Sequence, residues 1–359
     1  MVWQRKLRKL ASDLDGATQT PHFESAAFRV ARNYATLAGG AWRMGQNDSN
    51  FSPRVVSLIA SATEIVHALG AGGQQIARSH ECDWPARILD LPALTKAKFK
   101  VEGSSRQIDT AVKSLVEQGL AVYEVNADAL KDLAPDVILT QDQCEVCAVS
   151  LADVERAVQG WTECKANVVS LRPHTIADIY SDNQRIADAL GCRDAGAQLN
   201  ARMASQFSEI AARVGGRENP RLAFIEWIDP PMSGGHWMPE LISIAGGINL
   251  FGAHGAQSPW ISLNDVVAAD PDIILVAPCG YGIAKSQSEM SVLDANPRWQ
   301  RLRAVRSGQL FVADGNAFFN RPGPRLVESA QIMAEILHPE VADYGHIEKN
   351  VVRHRAIAS

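Results

Sequence analysis

One short unit occurs twice in this chain, and the repetition restricts the fold more than any other feature. Residues 134–141 read APDVILTQ and residues 269–278 read ADPDIILVAP. In each, a polar turn leads into an unbroken aliphatic run without polar alternation, which is the pattern of a strand covered on both faces. Each run ends in residues with chemical capacity. Gln141, Asp142, Cys144 and Cys147 follow the first, and Cys279, Gly280 and Tyr281 follow the second.

Around these runs, strand and helix patterns alternate. VVSLI, QQIARS, AVYEV, DVILT and ANVVSLRP read as strands of a first half. TEIVHALG, capped by Ser61 or Thr63 and ended by Gly70, reads as a helix, as does SRQIDTAVKSLVEQG. RLAFIEWI, PDIILVAP and GQLFVADG are strands of a second half, and RPGPRLVESAQIMAEILHP is a closing helix with Pro322 and Pro324 suited to its first turn. Alternation at this spacing predicts parallel βαβ units. The fold expected is α/β, with two similar lobes of mainly parallel sheet face to face.

Between the halves, Ile176, Ile179, Ile186, Leu190, Leu199, Met203 and Phe207 fall mostly at helical spacing, interrupted by Gly191 and Gly196. A long helical connector, of one or two helices, follows. The expected division is 1–52 as an N-terminal extension, 53–172 as the first lobe, 173–215 as the connector, 216–340 as the second lobe and 341–359 as a C-terminal tail. Within the extension, Phe23, Ala27, Val30 and Tyr34 share one face of a candidate helix.

Composition enters as exclusion. A net charge of −5 and a pI near 6.0 speak against a nucleic-acid binder, which would show a basic patch. After Arg5, Lys6, Arg8 and Lys9 no apolar core of a secretory signal follows, since Asp13, Asp15, Glu24 and Arg29 interrupt the run. No apolar stretch has the length of a membrane span. The chain as written is therefore expected to be cytoplasmic and monomeric, or periplasmic if its start codon is misassigned. Six cysteines are too few for a disulfide scaffold at this length, so a cluster among them reads first as metal or redox chemistry.

In order along the chain, RVVSLIASATEIVHALG, IARSHECDWP, LAPDVILTQ, SGGHWMPELISIAGGINLF, SPWISLNDVVAADPDIILV and NRPGPRLV resemble the substrate-binding proteins of ABC importers for cobalamin, iron-siderophores and haem, most closely the cobalamin branch. The resemblance spans about Pro53 to Pro339. It implies two α/β lobes joined by one rigid helix, a ligand in the cleft, little domain closure, and docking to an ABC permease through an acidic residue on each lobe. Asp128 matches the first docking position. The second match falls near Ser243, with Glu240 one turn earlier.

His80, Cys82, Cys144 and Cys147 are the sharpest constellation, because imidazole and thiolate suit zinc or another borderline metal, iron included. A metal site, a redox dithiol and packing thiols are the three alternatives. His80 or His236 could instead coordinate the metal of a bound corrinoid or haem. A flat apolar macrocycle needs aromatic walls, for which Trp84, Trp227, Trp237, Trp260, Phe318 and Phe319 are candidates. Trp227 and Trp260 also fit a core. Ser61, Gln141, Asp142, Tyr281 and Arg321 complete the expected ligand contacts, Arg321 as a partner for carboxylate or phosphate or in a surface ion pair. No nucleotide loop, nucleophile elbow or zinc-protease helix occurs. Two functions follow: a binding protein for cobalamin or a related corrinoid or metal chelate, or a cytoplasmic metal-binding protein or metalloenzyme reusing the fold through the His/Cys site.

Overall fold

The computed structural model describes residues 52–355, except 101, 119–121, 143–153 and 155–165. The expected helix within 1–52 and the residues Cys144 and Cys147 lie outside the described residues. The first sheet has four strands: β1 (Val55–Ser57), β2 (Gln75–Arg78), β5 (Val137–Gln141) and β6 (Asn167–Leu171), ordered β2-β1-β5-β6 and all parallel. Every residue of β5 is buried, which accounts for its lack of alternation.

AVYEV, expected as a strand of this sheet, goes elsewhere. β4 (Tyr123–Val125) pairs antiparallel with β3 (Thr95–Ala97) in a separate ribbon. Glu124 of β4 is exposed between Tyr123 and Val125, the alternation of a one-sided ribbon. Ser61 and Thr63 are also not caps. α1 (Ala60–Ala68) begins directly after Ile59 without a side-chain cap. The preceding Leu58 is still bonded to Leu139 in the ladder at 2.8 Å, so strand passes into helix with no intervening turn. The first lobe is completed by α2 (Ser105–Glu117) and α3 (Ala127–Leu133).

The connector is two helices, α4 (Ile176–Ala189) and α5 (Arg193–Val214), not one rod. Gly191, at φ +70°, makes the reversal between them, a conformation that costs glycine no Cβ clash. α4 starts with a full capping box between Thr175 and Asp178. It packs on α1 and β6, while α5 packs on the second lobe.

In the second lobe, β7 (Arg221–Trp227), β10 (Ile273–Val276) and β11 (Leu310–Ala313) are parallel, and β8 (Met232–Ser233) and β9 (Ile248–Asn249) both pair with β7. Helices α6 (Met238–Ile244), α7 (Leu263–Ala269), α8 (Ile283–Glu289) and α9 (Leu326–Leu337) accompany them. Pro322 and Pro324 precede α9, whose N-cap is Arg325. The segment expected as a tail is built in: β12 (Val351–Arg353) adds antiparallel to β11, and Val351 is fully buried. Glu335 of α9 accepts from the backbone N–H groups of His346 and Ile347 and so holds the turn before β12.

One apolar core runs through all three parts. It includes Val55 and Ile65 from the first lobe, Ile179, Tyr180, Met203 and Phe207 from the connector, and Leu241, Leu275 and Met333 from the second lobe. Because the lobes share this core instead of touching only at their surfaces, hinge opening would expose apolar area at roughly 25 cal/mol per Å². Among the described residues, no helix is long and apolar enough to cross a membrane.

Candidate ligand-binding site

In open α/β sheets the carboxyl ends of strands flanking a change of winding direction are where ligands sit. In the first lobe that point lies between β1 and β5, and in the second at β7 and β10. Residues at this end of the neighbouring strands bring the lobes together. Arg321, after β11, donates to Glu64 of α1 at 2.9 Å and to Asp83, in the loop after β2, at 2.6 and 3.0 Å. Asn316 bonds both Arg321 and Asp83, at 3.1 Å each. Burial pushes the Glu64 carboxyl above its ordinary range, with Arg321 opposing. For Asp83 burial also acts upward, but the Arg321 guanidinium and Asn316 outweigh it and hold the carboxyl below its usual range. Arg321 is therefore committed to internal carboxylates.

A second contact lies at α2. The backbone N–H and hydroxyl of Ser105 both donate to Glu289 of α8, at 2.9 and 3.0 Å. Arg106 pairs with Asp229 through both nitrogens, Nε at 2.9 Å. Lys285 bonds Glu289 and the Gly103 carbonyl, and Lys113 lies 4.6 Å from the centre of the Trp260 ring.

The second lobe presents an aromatic and polar wall. The Trp227 and Tyr281 rings are 5.2 Å apart and tilted. Cys279 follows β10; its N–H bonds the Glu226 carbonyl at 3.1 Å, and its thiol lies 3.3 Å from Asn320 Oδ1 and 3.5 Å from Glu226 Oε1. The Ser258 hydroxyl bonds the Glu226 carboxylate at 3.1 Å. Trp227 Nε1 and Asn320 Nδ2 are buried and find no partner among the described residues. A buried donor without a partner costs about 1–3 kcal/mol, so a ligand acceptor placed against either atom would recover that cost.

On the first lobe, His80 Nδ1 is 2.7 Å from the Thr95 hydroxyl, and its ring is 5.5 Å from that of Tyr123. Burial, aided by Arg78, lowers the His80 pKa. Tyr123 donates to Glu81 at 3.1 Å, and burial pushes the Glu81 carboxyl up to about 7. Cys82 turns away from this face. It is 1% exposed, packs with Ala60 and Ile88, and accepts from Thr63 at 3.1 Å. Burial pushes its thiol up to about 11, opposite to what a metal-bound thiolate requires. Among the described residues no group of three or more His, Cys, Asp or Glu is arranged to hold a metal.

The other expected residues divide. Trp84 is 43% exposed, with the Arg325 guanidinium over its ring at 5.1 Å. Gln141 is buried at the end of β5, and Asp142 pairs with Arg172. Ser61 is buried with its hydroxyl unpartnered. Trp237, Phe318 and Phe319 join the core, whereas Trp260, also a core candidate, is 53% exposed. His236 packs against His174. Asp128 is exposed on the first turn of α3. Glu240, expected at a docking surface, is buried: its Oε2 accepts from the Ile176 N–H at 2.8 Å and its Oε1 faces His254 at 3.2 Å. Sequence reasoning missed Glu64, Ser105, Glu226 and Glu289. A Glu in the apolar repeat of α1 was the one available signal.

The family model for periplasmic binding proteins matches residues 55–317. The vitamin B12-binding protein of Vibrio cholerae is 22% identical over 282 residues, covering 77% of this chain and 86% of that protein. An uncharacterized ABC transporter substrate-binding lipoprotein of Bacillus subtilis is 21% identical over 296 residues, 80% of each chain. Among solved structures, a periplasmic heme-binding protein from Pseudomonas aeruginosa superposes with a TM-score of 0.64 at 17% identity, covering 86% of this chain and 100% of that one. The periplasmic vitamin B12-binding protein of Vibrio cholerae superposes with 0.56 at 18% identity, covering 80% and 97%. With two α/β lobes on a helical connector and a family match running from β1 to beyond β11, this chain belongs to the periplasmic binding protein family.

Proposed function

We propose that the chain is the substrate-binding component of an ABC importer and that its ligand is cobalamin or a related corrinoid. Charge at the lobe boundary is the observation that carries the choice of ligand. Arg106, Arg172, Lys285, Arg321 and Arg325 border the boundary, and each already faces a carboxylate of the chain: Asp229, Asp142, Glu289, Glu64 with Asp83, and Glu64 with Glu328. Among these described cations, a propionate of a dianionic haem would gain a partner only by drawing one out of its pair. A corrin carries neutral amides, which can accept from donors such as Trp227 Nε1 and Asn320 Nδ2.

The Trp227 and Tyr281 rings would supply apolar cover for the macrocycle face. No described residue bonds the Nε2 of His80, which leaves that nitrogen to face the central metal. Relatives carry periplasmic or lipoprotein names, and this reading places the protein on the same side of the membrane as the arriving ligand.

The test is a titration of purified full-length protein with cyanocobalamin, haemin and a ferric siderophore, followed by tryptophan quenching and absorbance. Submicromolar binding of the corrinoid, at least tenfold tighter than haemin, supports the reading. Preference for haemin or the siderophore would overturn it.

A further inference from the structure

His174, two residues before α4, and His236, in the loop before α6, place their Nδ1 atoms 3.1 Å apart. Both backbones are held. The His174 N–H donates to Asp178 Oδ2 at 3.0 Å, beside the capping box of α4. His236 has φ +52°, donates its N–H to the Ala256 carbonyl at 2.6 Å and accepts from the Gly255 N–H at 3.0 Å. Gly235 lets that loop approach, since a Cβ there would stand 2.5 Å from the Ser258 nitrogen. A non-glycine residue in the left-handed region is strained and persists where its surroundings over-determine it. Trp237 stacks on the His236 ring at 5.8 Å.

We propose that His174 and His236 form a binding site for a divalent borderline transition cation such as Zn²⁺, Ni²⁺ or Cu²⁺, with both Nδ1 atoms as ligands and water completing the shell. Two metal–nitrogen bonds of about 2.0–2.1 Å span the observed separation at an N–metal–N angle of about 98°. That angle lies between the square and tetrahedral values. Imidazole is a favoured ligand for these ions.

The proton inventory also closes. Without metal, one Nδ1 donates to the other. On binding, the donor ring moves its proton to Nε2, and neither Nε2 bonds a described residue, so the change of tautomer breaks no other contact. No net proton is released while both rings are neutral. His254 and Glu240 stand nearby but are engaged with each other, and Glu240 also with the Ile176 N–H. Two protein ligands leave open positions and limit affinity. A cation here would tie the connector to the second lobe.

The experiment uses chelator-treated full-length protein titrated with ZnCl₂ and NiCl₂ by calorimetry at pH 7.5, with Tm recorded with and without metal. The C144S/C147S variant serves as a background that removes the Cys-x-x-Cys thiols. One ion per chain is expected in that background, with affinity reduced at least tenfold in H174Q and in H236N and unchanged in H80Q. Asn tolerates the left-handed backbone at 236, and an unchanged metal-free Tm verifies that each variant folds. Metal should raise Tm in the parent and not in H174Q. Absence of saturable binding in C144S/C147S, or undiminished binding by H174Q and H236N, overturns the proposal.

Discussion

Glu64 of the first lobe and Arg321 of the second form an ion pair of 2.9 Å, with side chains 0% and 5% exposed. Charges withdrawn this far from water persist only when paired and hydrogen-bonded. Asp83, Asn316 and the Glu81 carbonyl supply the remaining acceptors for the guanidinium. The pair stands between the lobes and makes their relative placement part of the folded state.

Removing Arg321 should therefore be a stability defect before it is a binding defect. Arg321→Ala is expected to cost about 3 kcal/mol in urea unfolding, because Glu64 stays behind as a buried acid with only the longer 3.6 Å contact to Arg325. The double change Glu64→Leu with Arg321→Met should cost much less. A loss below about 1 kcal/mol in the single variant would contradict the geometry.

Glu81 predicts a pH dependence with a definite sign. Its folded pKa of about 7 lies above the ordinary 4.5. A raised pKa means that the group's contribution to stability is present below about 4.5 and is lost as pH rises through about 7. Glu81→Gln removes that loss, so the variant should match the parent at pH 4.5 and exceed it by on the order of 2 kcal/mol at pH 8. Urea midpoints at the two pH values measure this; an equal difference at both would refute it.

At the aromatic wall, Trp227→Ala is expected to weaken corrinoid binding tenfold or more, about 1.4 kcal/mol, with little change in Tm. Trp299, 1% exposed in the second-lobe core, should behave in the opposite way: truncation to Ala costs about 3–5 kcal/mol. Fluorescence titration and thermal unfolding of both variants separate the two roles.

Glu240 and Asp128 also separate. Glu240→Ala should destabilise the protein by about 0.5–2 kcal/mol, since it strips an acceptor from the first N–H of α4. Asp128→Ala, at an exposed site, should change stability by less than about 0.5 kcal/mol. If a permease engages the first lobe as the resemblance implies, Asp128→Ala lowers transport while ligand affinity stays constant.

The element types were legible because they depend on local period. β5 and β10 showed as apolar runs, and the amphipathic spacing of Ile176 through Phe207 showed the connector. What local pattern missed is instructive. β4 carries β-rich residues but pairs with β3, because ribbon and sheet draw on the same residue types and differ only in what covers the second face. β12 comes from three residues too few to stand out, and it exists because the edge of β11 and the Glu335 carboxylate hold it.

The candidate site divides in the same way. His80, Gln141, Trp227, Cys279 and Tyr281 could be named because strand ends in an α/β fold are where chemistry collects. Glu64, Glu226 and Glu289 could not, since their partners lie 257, 32 and 184 residues away, and no periodicity carries that information. Cys82 and Trp237 carry functional residue types yet face the core.

The sequence alone determined the α/β class, the two lobes and the helical connector, since hydrophobic period and turn residues act over a few positions. Only the tertiary structure decided which side chains are spent on holding the lobes together and which remain for a ligand. Burial and charge pairing are set by what packs from elsewhere in the chain. That is why Arg321 and Glu240, plausible binding residues by type, are internal partners of the fold, and why His174 meets His236.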